Sequence, residues 1–449
     1  MKRENFSSRF GALMAMAGSA VGLGNLWRFP YMVGTNGGAA FICLYVLFVF
    51  LLCLPILCAE MIAGRRSQTN AFRTFDRLAP GTPWKWGGVL MVLTPMIVVS
   101  YYSVIGGWSV EYFMKSMMFD FTGNVHTRET LGGMFGDYIS SVWRPLAEHT
   151  VFLGITAFVV VGGVKNGIEK FGKVMMPLLF LIVVAIAVRS VTLPGAGEGL
   201  AYLFRPDFSM IDGPVCAAAL GQAFFSLSVG FGIMMTYSSY ISRKENIAVS
   251  SMYTAIADFV FAIIASCAIM PAVFSFGLSP QAGPGLVFET LPFIFSQMPM
   301  GGLIAILFFL ALLVAALTSS VSIFEVGVAY LVEERHLSRK VSAIIVYAVT
   351  WIVGIICSLS FGPLSGFHIL GNTVFDFLDR LSADVLMTTG ALLIVLFVGW
   401  KMKREDVEDE FTNGGSLPLN KGLFRPLYFV VRYLAPVAVL IILVSGVVS

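Results

Sequence analysis

The sequence predicts an all-α integral membrane protein of eleven transmembrane helices, built as an inverted five-plus-five repeat with one further helix. Three observations carry that expectation. Of 449 residues, 57% are hydrophobic and only 12% charged, with a mean hydropathy of +0.85, whereas soluble domains carry roughly 25% charged residues. The apolar residues gather into eleven runs long enough to cross a bilayer, which takes about 20 residues. Lysine and arginine then concentrate in alternate connections between those runs. Uniformly apolar segments of this length lack the alternation of a membrane β-barrel. The net charge of +3 is too small to suggest a nucleic-acid partner.

The runs lie near 10–32, 39–63, 86–118, 147–164, 170–192, 214–240, 247–276, 299–332, 339–360, 371–400 and 424–448, and are numbered here as spans 1 to 11. One set of connections holds Lys2, Arg3 and Arg9, then Arg65, Arg66, Arg73, Arg77 and Lys85, with more at 165–173, 243–244, 335–340 and 401–425. The opposite set holds only Lys115, Arg128, Arg144, Arg189 and Arg205. The bias places the amino terminus in the cytoplasm, and an odd number of crossings places the carboxyl terminus outside. The expected order is a cytoplasmic segment 1–9, a first repeat 10–192, an extracellular loop 193–213, a second repeat 214–400, a cytoplasmic loop 401–423 and an eleventh helix 424–449. The apolar run after Arg9 has no small-residue cleavage site, so no cleavable leader is expected. A multi-pass protein of the cell (inner) membrane is implied. The six cysteines sit in or beside apolar runs without C-x-x-C spacing and are expected to be inert thiols.

Span 1 contains Ala20-Val21-Gly22-Leu23-Gly24 and span 6 contains Ser228-Val229-Gly230-Phe231-Gly232. Five spans separate them, so a repeat of that unit has inverted topology. Glycine costs about 1 kcal/mol in a helix interior, and two within three residues invite unwinding. Unwound backbone at membrane depth survives only where it lines a protein cavity. Glycines also let helices pack closely, but matched motifs in corresponding spans favour two helices broken at mid-membrane. Asn25, Ser226 and Ser228 flank the breaks, Asp258 is a bare acid in span 7, and Thr318-Ser319-Ser320 interrupts span 8. Freed carbonyls and hydroxyls suit an alkali cation, and half-helix amino termini suit a carboxylate. An intramembrane acid is a functional candidate by default, whereas the span 8 hydroxyls could simply bond back to the preceding turn. The four histidines are scattered and mostly in loops, and the polar groups form no continuous stripe, which argues against a membrane enzyme and a channel.

The stretch Gly18-Ser-Ala-Val-Gly-Leu-Gly-Asn-Leu-Trp-Arg-Phe-Pro-Tyr31 resembles the first-helix signature of the neurotransmitter:sodium symporter family. So do Asn36-Gly37-Gly38, Gly221-Gln-Ala-Phe-Phe-Ser-Leu-Ser-Val-Gly-Phe-Gly232 and Leu317-Thr-Ser-Ser320, collinearly over nearly the whole chain. Eleven helices resemble its bacterial amino-acid branch. The resemblance implies a sodium-coupled symporter importing hydrophobic or aromatic L-amino acids by alternating access, with two sodium ions and no organic cofactor. A first sodium site is implied at the Ala20 carbonyl, Asn25, Ser226 and Asp258. A second is implied at the carbonyls of Gly18, Val21 and Ala315 and the hydroxyls of Thr318 and Ser319. The implied substrate pocket comprises Ala20, Gly22, Leu23, Gly24, Val98, Tyr102, Phe225, Ser226, Ser228, Phe231, Ser319 and Ile323, with Tyr102 on the carboxylate. Gly22 stands where monoamine-carrying members have an aspartate. Asp258 stands where a related transporter has a neutral asparagine, and its surrounding counterparts Tyr45, Gln222, Ser226 and Ala262 include no second acid. Chloride independence is therefore expected. A proton-coupled carrier of the same architecture, with Asp258 as its proton site, is the rival.

The resemblance also implies gates. Outside, Arg28 pairs with Asp379 above a lid of Tyr102 and Phe225, with Asp376 a rival partner. Inside, Arg3, Phe6, Ser239, Tyr240 and Glu333 occupy gate positions, with Phe6 replacing a tryptophan and Glu333 an aspartate. Gly167 and Pro177 match a pattern that lets span 5 unwind, or else mark a helix start and a packing proline. Glu60 and Glu325 are further intramembrane acids, with no expected role beyond a buried hydrogen bond.

Overall fold

The computed structural model describes residues 4–122, 127–278 and 285–448. Among these, nine helices are long and apolar enough to cross a membrane: Ala39–Ser67, Lys85–Met117, Trp143–Val161, Val164–Val191, Ile247–Ser275, Gly301–Glu334, Arg339–Leu359, Val374–Lys401 and Pro418–Gly446. Taken together as one span, the pair Arg9–Ala20 and Gly24–Thr35, bent by 47° at the break, makes a tenth. Span 6 consists of two helices, Gly213–Ser226 and Ile233–Ser238. At 1.5 Å per residue they are about 21 and 9 Å long, so neither alone crosses a 30 Å hydrocarbon core.

Local chemistry explains where these helices start and stop. The Ser8 hydroxyl accepts from the Gly11 N–H at 3.1 Å and opens span 1, which stops where Val21 turns extended at ψ 100°. Asp212 accepts from the Val215 N–H at 2.8 Å and opens span 6. After Ser226 the chain takes left-handed φ at Ser228 (51°), Gly230 (87°) and Gly232 (71°). A side chain on Gly230 would strike the Met387 backbone carbonyl of span 10, so both conformation and close approach require glycine there.

Several elements begin earlier than the apolar pattern alone indicates. Span 5 opens with a π-helical turn, Val164–Glu169, and span 11 starts at Pro418, whose missing N–H suits a first turn. The segment expected as loop 401–423 contains a helix, Arg404–Thr412, and the segment 193–213 contains Ala196–Phe204.

Spans 3 and 8 pack along each other, and span 8 also touches spans 1, 4, 5 and 9. Span 11 lies against span 10 at the periphery. Phe158, Leu181, Val188, Ile344 and Ile352 on spans 4, 5 and 9 are exposed, as lipid-facing side chains would be. The carboxyl-terminal end of span 2 is clamped. Arg65 is 1% exposed, and its guanidinium bonds the Glu410 carboxylate at 2.5 Å, the Asn413 amide oxygen at 2.6 Å and the carbonyls of Glu245 and Glu410. Arg66 pairs with Asp406 at 2.5 Å and Asp409 at 3.2 Å, so the helix Arg404–Thr412 is fastened to span 2.

Candidate functional site

The two breaks and span 7 meet at one buried polar cluster. The Asn25 amide donates to Asp258 Oδ1 at 2.9 Å, to the Asp258 carbonyl at 3.2 Å and to Ser226 Oγ at 3.3 Å. Ser226 Oγ donates to the Asp258 carboxylate at 2.7 and 2.9 Å, and the Tyr45 hydroxyl donates to Asp258 Oδ2 at 2.7 Å. All four residues are buried. Asn25 Oδ1 accepts from the Gly22 N–H at 3.2 Å, which ties the side chain to the span 1 break. A buried carboxylate is costly unless hydrogen-bonded or paired, and here three side chains serve one acid. Tyr45, expected only as a neighbour, is a direct partner. Its signal is faint in sequence, a single tyrosine in an apolar run.

A second group of oxygens lies between spans 1 and 8. Thr318 Oγ1 donates to the Ala315 carbonyl at 3.0 Å and sits 3.5 Å from the Val21 carbonyl. A Cβ added at Gly18 would lie 3.4 Å from the Thr318 Cβ, and one added at Gly22 would land on the Ser319 hydroxyl. Gly18, Val21, Ala315, Thr318, Ser319 and Gly22 thus share one seam. The carbonyl and hydroxyl donor set is that of a hard alkali cation.

The Tyr102 hydroxyl on span 3 is buried without a hydrogen-bond partner. A buried donor without a partner calls for a ligand or water. Both polar atoms of the Gln222 side chain, one turn before Ser226, are likewise unpaired. Ser228 Oγ donates to the Ser19 carbonyl at 3.2 Å. Ala20, Leu23, Val98, Phe231 and Ile323 are buried. The Phe225 ring lies 3.2 Å from where a Gly24 Cβ would stand and carries Arg28 at 4.6 Å above its face.

On the expected cytoplasmic side, Phe6 meets Tyr237 and Tyr240 edge-on at 5.8 and 6.2 Å, and its N–H donates to the Tyr240 carbonyl. Arg3 lies outside the described residues. Glu333 accepts from the Asn70 backbone and side chain at 2.8 and 3.0 Å. Ser239 Oγ donates to the Thr236 carbonyl at 2.5 Å. Glu325 accepts from the Tyr240 hydroxyl at 2.8 Å and from both terminal nitrogens of Arg339 at 2.5 and 3.2 Å. Glu60 accepts from the N–H groups of Gly230 at 3.3 Å and Met235 at 3.4 Å, capping the restart of span 6. Both acids therefore have defined partners, which their positions in sequence do not disclose. Gly167 lies in the π-helical turn of span 5, and Pro177 lies inside its continuous helix.

The arrangement can hold cations between carboxylate, hydroxyl and carbonyl oxygens at two broken helices. The sodium:neurotransmitter symporter family model matches residues 3–129 and 134–449. An uncharacterised sodium-dependent transporter of Bacillus subtilis (strain 168), YhdH, is 40% identical over 99% of this chain and 98% of that protein. One from Haemophilus influenzae is 33% identical over 99% and 98%. The sodium-dependent dopamine transporter of Caenorhabditis elegans is 29% identical over 75% of this chain and 65% of its own length. The crystal structure of MhsT in complex with L-phenylalanine superposes with a TM-score of 0.90 at 41% identity, over 99% of this chain and all of that one.

Proposed function

The chain belongs to the sodium:neurotransmitter symporter family, and on that premise we propose that it is a sodium-coupled symporter importing hydrophobic or aromatic L-amino acids by alternating access. The observation that carries this reading is the Asn25–Ser226–Asp258 cluster, where both broken spans and span 7 converge on one carboxylate. With the two short helices of span 6 taken as one broken crossing, the protein has eleven spans, a cytoplasmic amino terminus and an inverted repeat. One sodium sits between the Ala20 carbonyl, Asn25, Ser226 and Asp258, in contact with the substrate carboxylate. A second sits between Gly18, Val21, Ala315, Thr318 and Ser319. The unpaired Tyr102 hydroxyl donates to the substrate carboxylate, and the capture of L-phenylalanine by MhsT supports an apolar side-chain pocket. The fixed charge of Asp258 makes chloride unnecessary.

A second reading has one observation in its favour. Asp258 is already satisfied by three protein side chains, a setting that a proton carrier would also use. Uptake into proteoliposomes with sodium replaced by choline, across a pH series, separates the two. Sodium dependence at every pH supports the symporter. Uptake that persists in choline and grows with an inward proton gradient overturns it.

A further inference from the structure

Span 10 changes its winding near its expected outer end. It is α-helical over Val374–Arg380 and Met387–Leu396, with a π-helical turn at Leu381–Leu386 between them. Residues five apart on an α-helix stand roughly 140° apart around the axis, whereas i→i+5 bonding brings them back toward one side, and such turns favour functional sites. Asp379 lies just before that turn and Asp384 within it, five residues apart, and Arg28 and Asp384 line one cavity. Asp376 is engaged elsewhere, accepting from the Thr373 hydroxyl at 2.7 Å.

Arg28 is stacked on Phe225 rather than closed onto an acid. Arg28, Asp384, Phe225 and Thr388 line a cavity of about 50 Å³ together with Ile442 of span 11. One water needs roughly 10–15 Å³ by this measure, so the cavity has room for a few waters. Span 11 supports this wall closely, since a Cβ on Gly446 would come 2.9 Å from the Asp384 Cβ. The other cation facing Asp384 is Arg380, at 3.8 Å.

We propose that Asp384 is a second carboxylate partner of Arg28, a positioning residue that shares the outer gate with Asp379. The guanidinium passes from one acid to the other as the gate moves, through a wet cavity, and keeps a counter-charge throughout. Stripping an arginine of both water and counter-ion is expensive, and two acids on one side of span 10 avoid that step. This rests on the reading of Arg28 as a gate.

The test measures gate opening in sodium alone, so it needs no substrate. A cysteine is placed at Gly221, which lines the cavity and has open space for a side chain. Its reaction with a membrane-impermeant thiol reagent is timed in proteoliposomes, with the protein lacking the substitution as background. Asp384→Asn should raise the labelling rate at least threefold, and Asp384→Glu should restore it. In an Arg28→Ala background the same substitution should add nothing. Asp384→Ser replaces the asparagine variant if that one does not purify as a folded monodisperse protein. If Arg28→Ala labels at the original rate, the gate reading falls and this inference with it. If Arg28→Ala opens the site while the Asp384 variants do not, or if their effect persists without Arg28, only the present inference is overturned.

Discussion

The Asn25 amide donates to the Asp258 carboxylate at 2.9 Å, joining the break of span 1 to the middle of span 7. Asp258 points into the cluster shared by both broken spans, with Ser226 and Tyr45 on its oxygens. The function proposed above puts the first sodium beside this carboxylate.

Asp258→Asn should weaken sodium activation. A unit charge at about 4 Å in a partly screened interior is worth several kcal/mol; a net loss of about 1.4–2.8 kcal/mol after relaxation would raise the half-saturating sodium concentration about ten- to hundredfold. Uptake by the unmodified protein should be equal in chloride and gluconate, while the variant should come to depend on chloride. Uptake that collapses in gluconate before any substitution would end the charge-substitution idea.

Zwitterionic amino acids should bind and bare amines should not. Gly22 leaves no acid for an amine, and a side chain there would collide with the Ser319 hydroxyl. In a thermal-shift titration with sodium, tryptophan should stabilise the protein and tryptamine should not. Equal stabilisation by both refutes the assignment.

Arg28→Ala should slow transport severely while leaving folding and equilibrium binding largely intact. Arg28 covers Phe225 from a half-buried position, a contact worth about 0.5–2 kcal/mol. Breaking a buried structural pair would cost about 3–5 kcal/mol instead. A variant that does not fold, or that no longer binds substrate at equilibrium, contradicts the gate.

Glu325→Ala should behave in the opposite way. Its carboxylate is fully buried and holds Arg339 and Tyr240 together. Its loss strands a largely buried guanidinium and should cost about 3–5 kcal/mol, read as a clear fall in melting temperature. Glu325→Gln, which keeps a hydrogen-bond acceptor, should recover part of it. An unchanged melting temperature for the alanine variant would mean that the pair contributes little to the fold.

The apolar runs made the helices legible, because bilayer thickness imposes a length that composition records directly. Paired glycines mark where the helices ending at Ala20 and Ser226 are interrupted, and the structure adds Ser228, a non-glycine residue at φ 51°, held by its bond to Ser19. The π-helical turns at Gly24–Arg28, Val164–Glu169 and Leu381–Leu386 left no compositional trace. One inserted residue does not alter hydropathy. The partners of Glu60 and Glu325 were hidden because a buried acid in sequence does not name the backbone N–H or the distant arginine that satisfies it. Arg65 illustrates the same limit from the other side. Counted as one of many charges that set orientation, it is instead among the most buried side chains of the protein.

Arg65 and its carboxylate, Glu410, are 345 residues apart. At synthesis rates of about 5–20 residues per second, the arginine waits roughly 20–70 s for that partner. The end of span 2 is thus among the first segments to leave the ribosome and among the last to be completed. A nascent chain cut short before residue 410 would lack more than its final crossing. It would keep an unneutralised arginine in a site shaped to enclose it, which exposes incomplete chains to the cell's quality control.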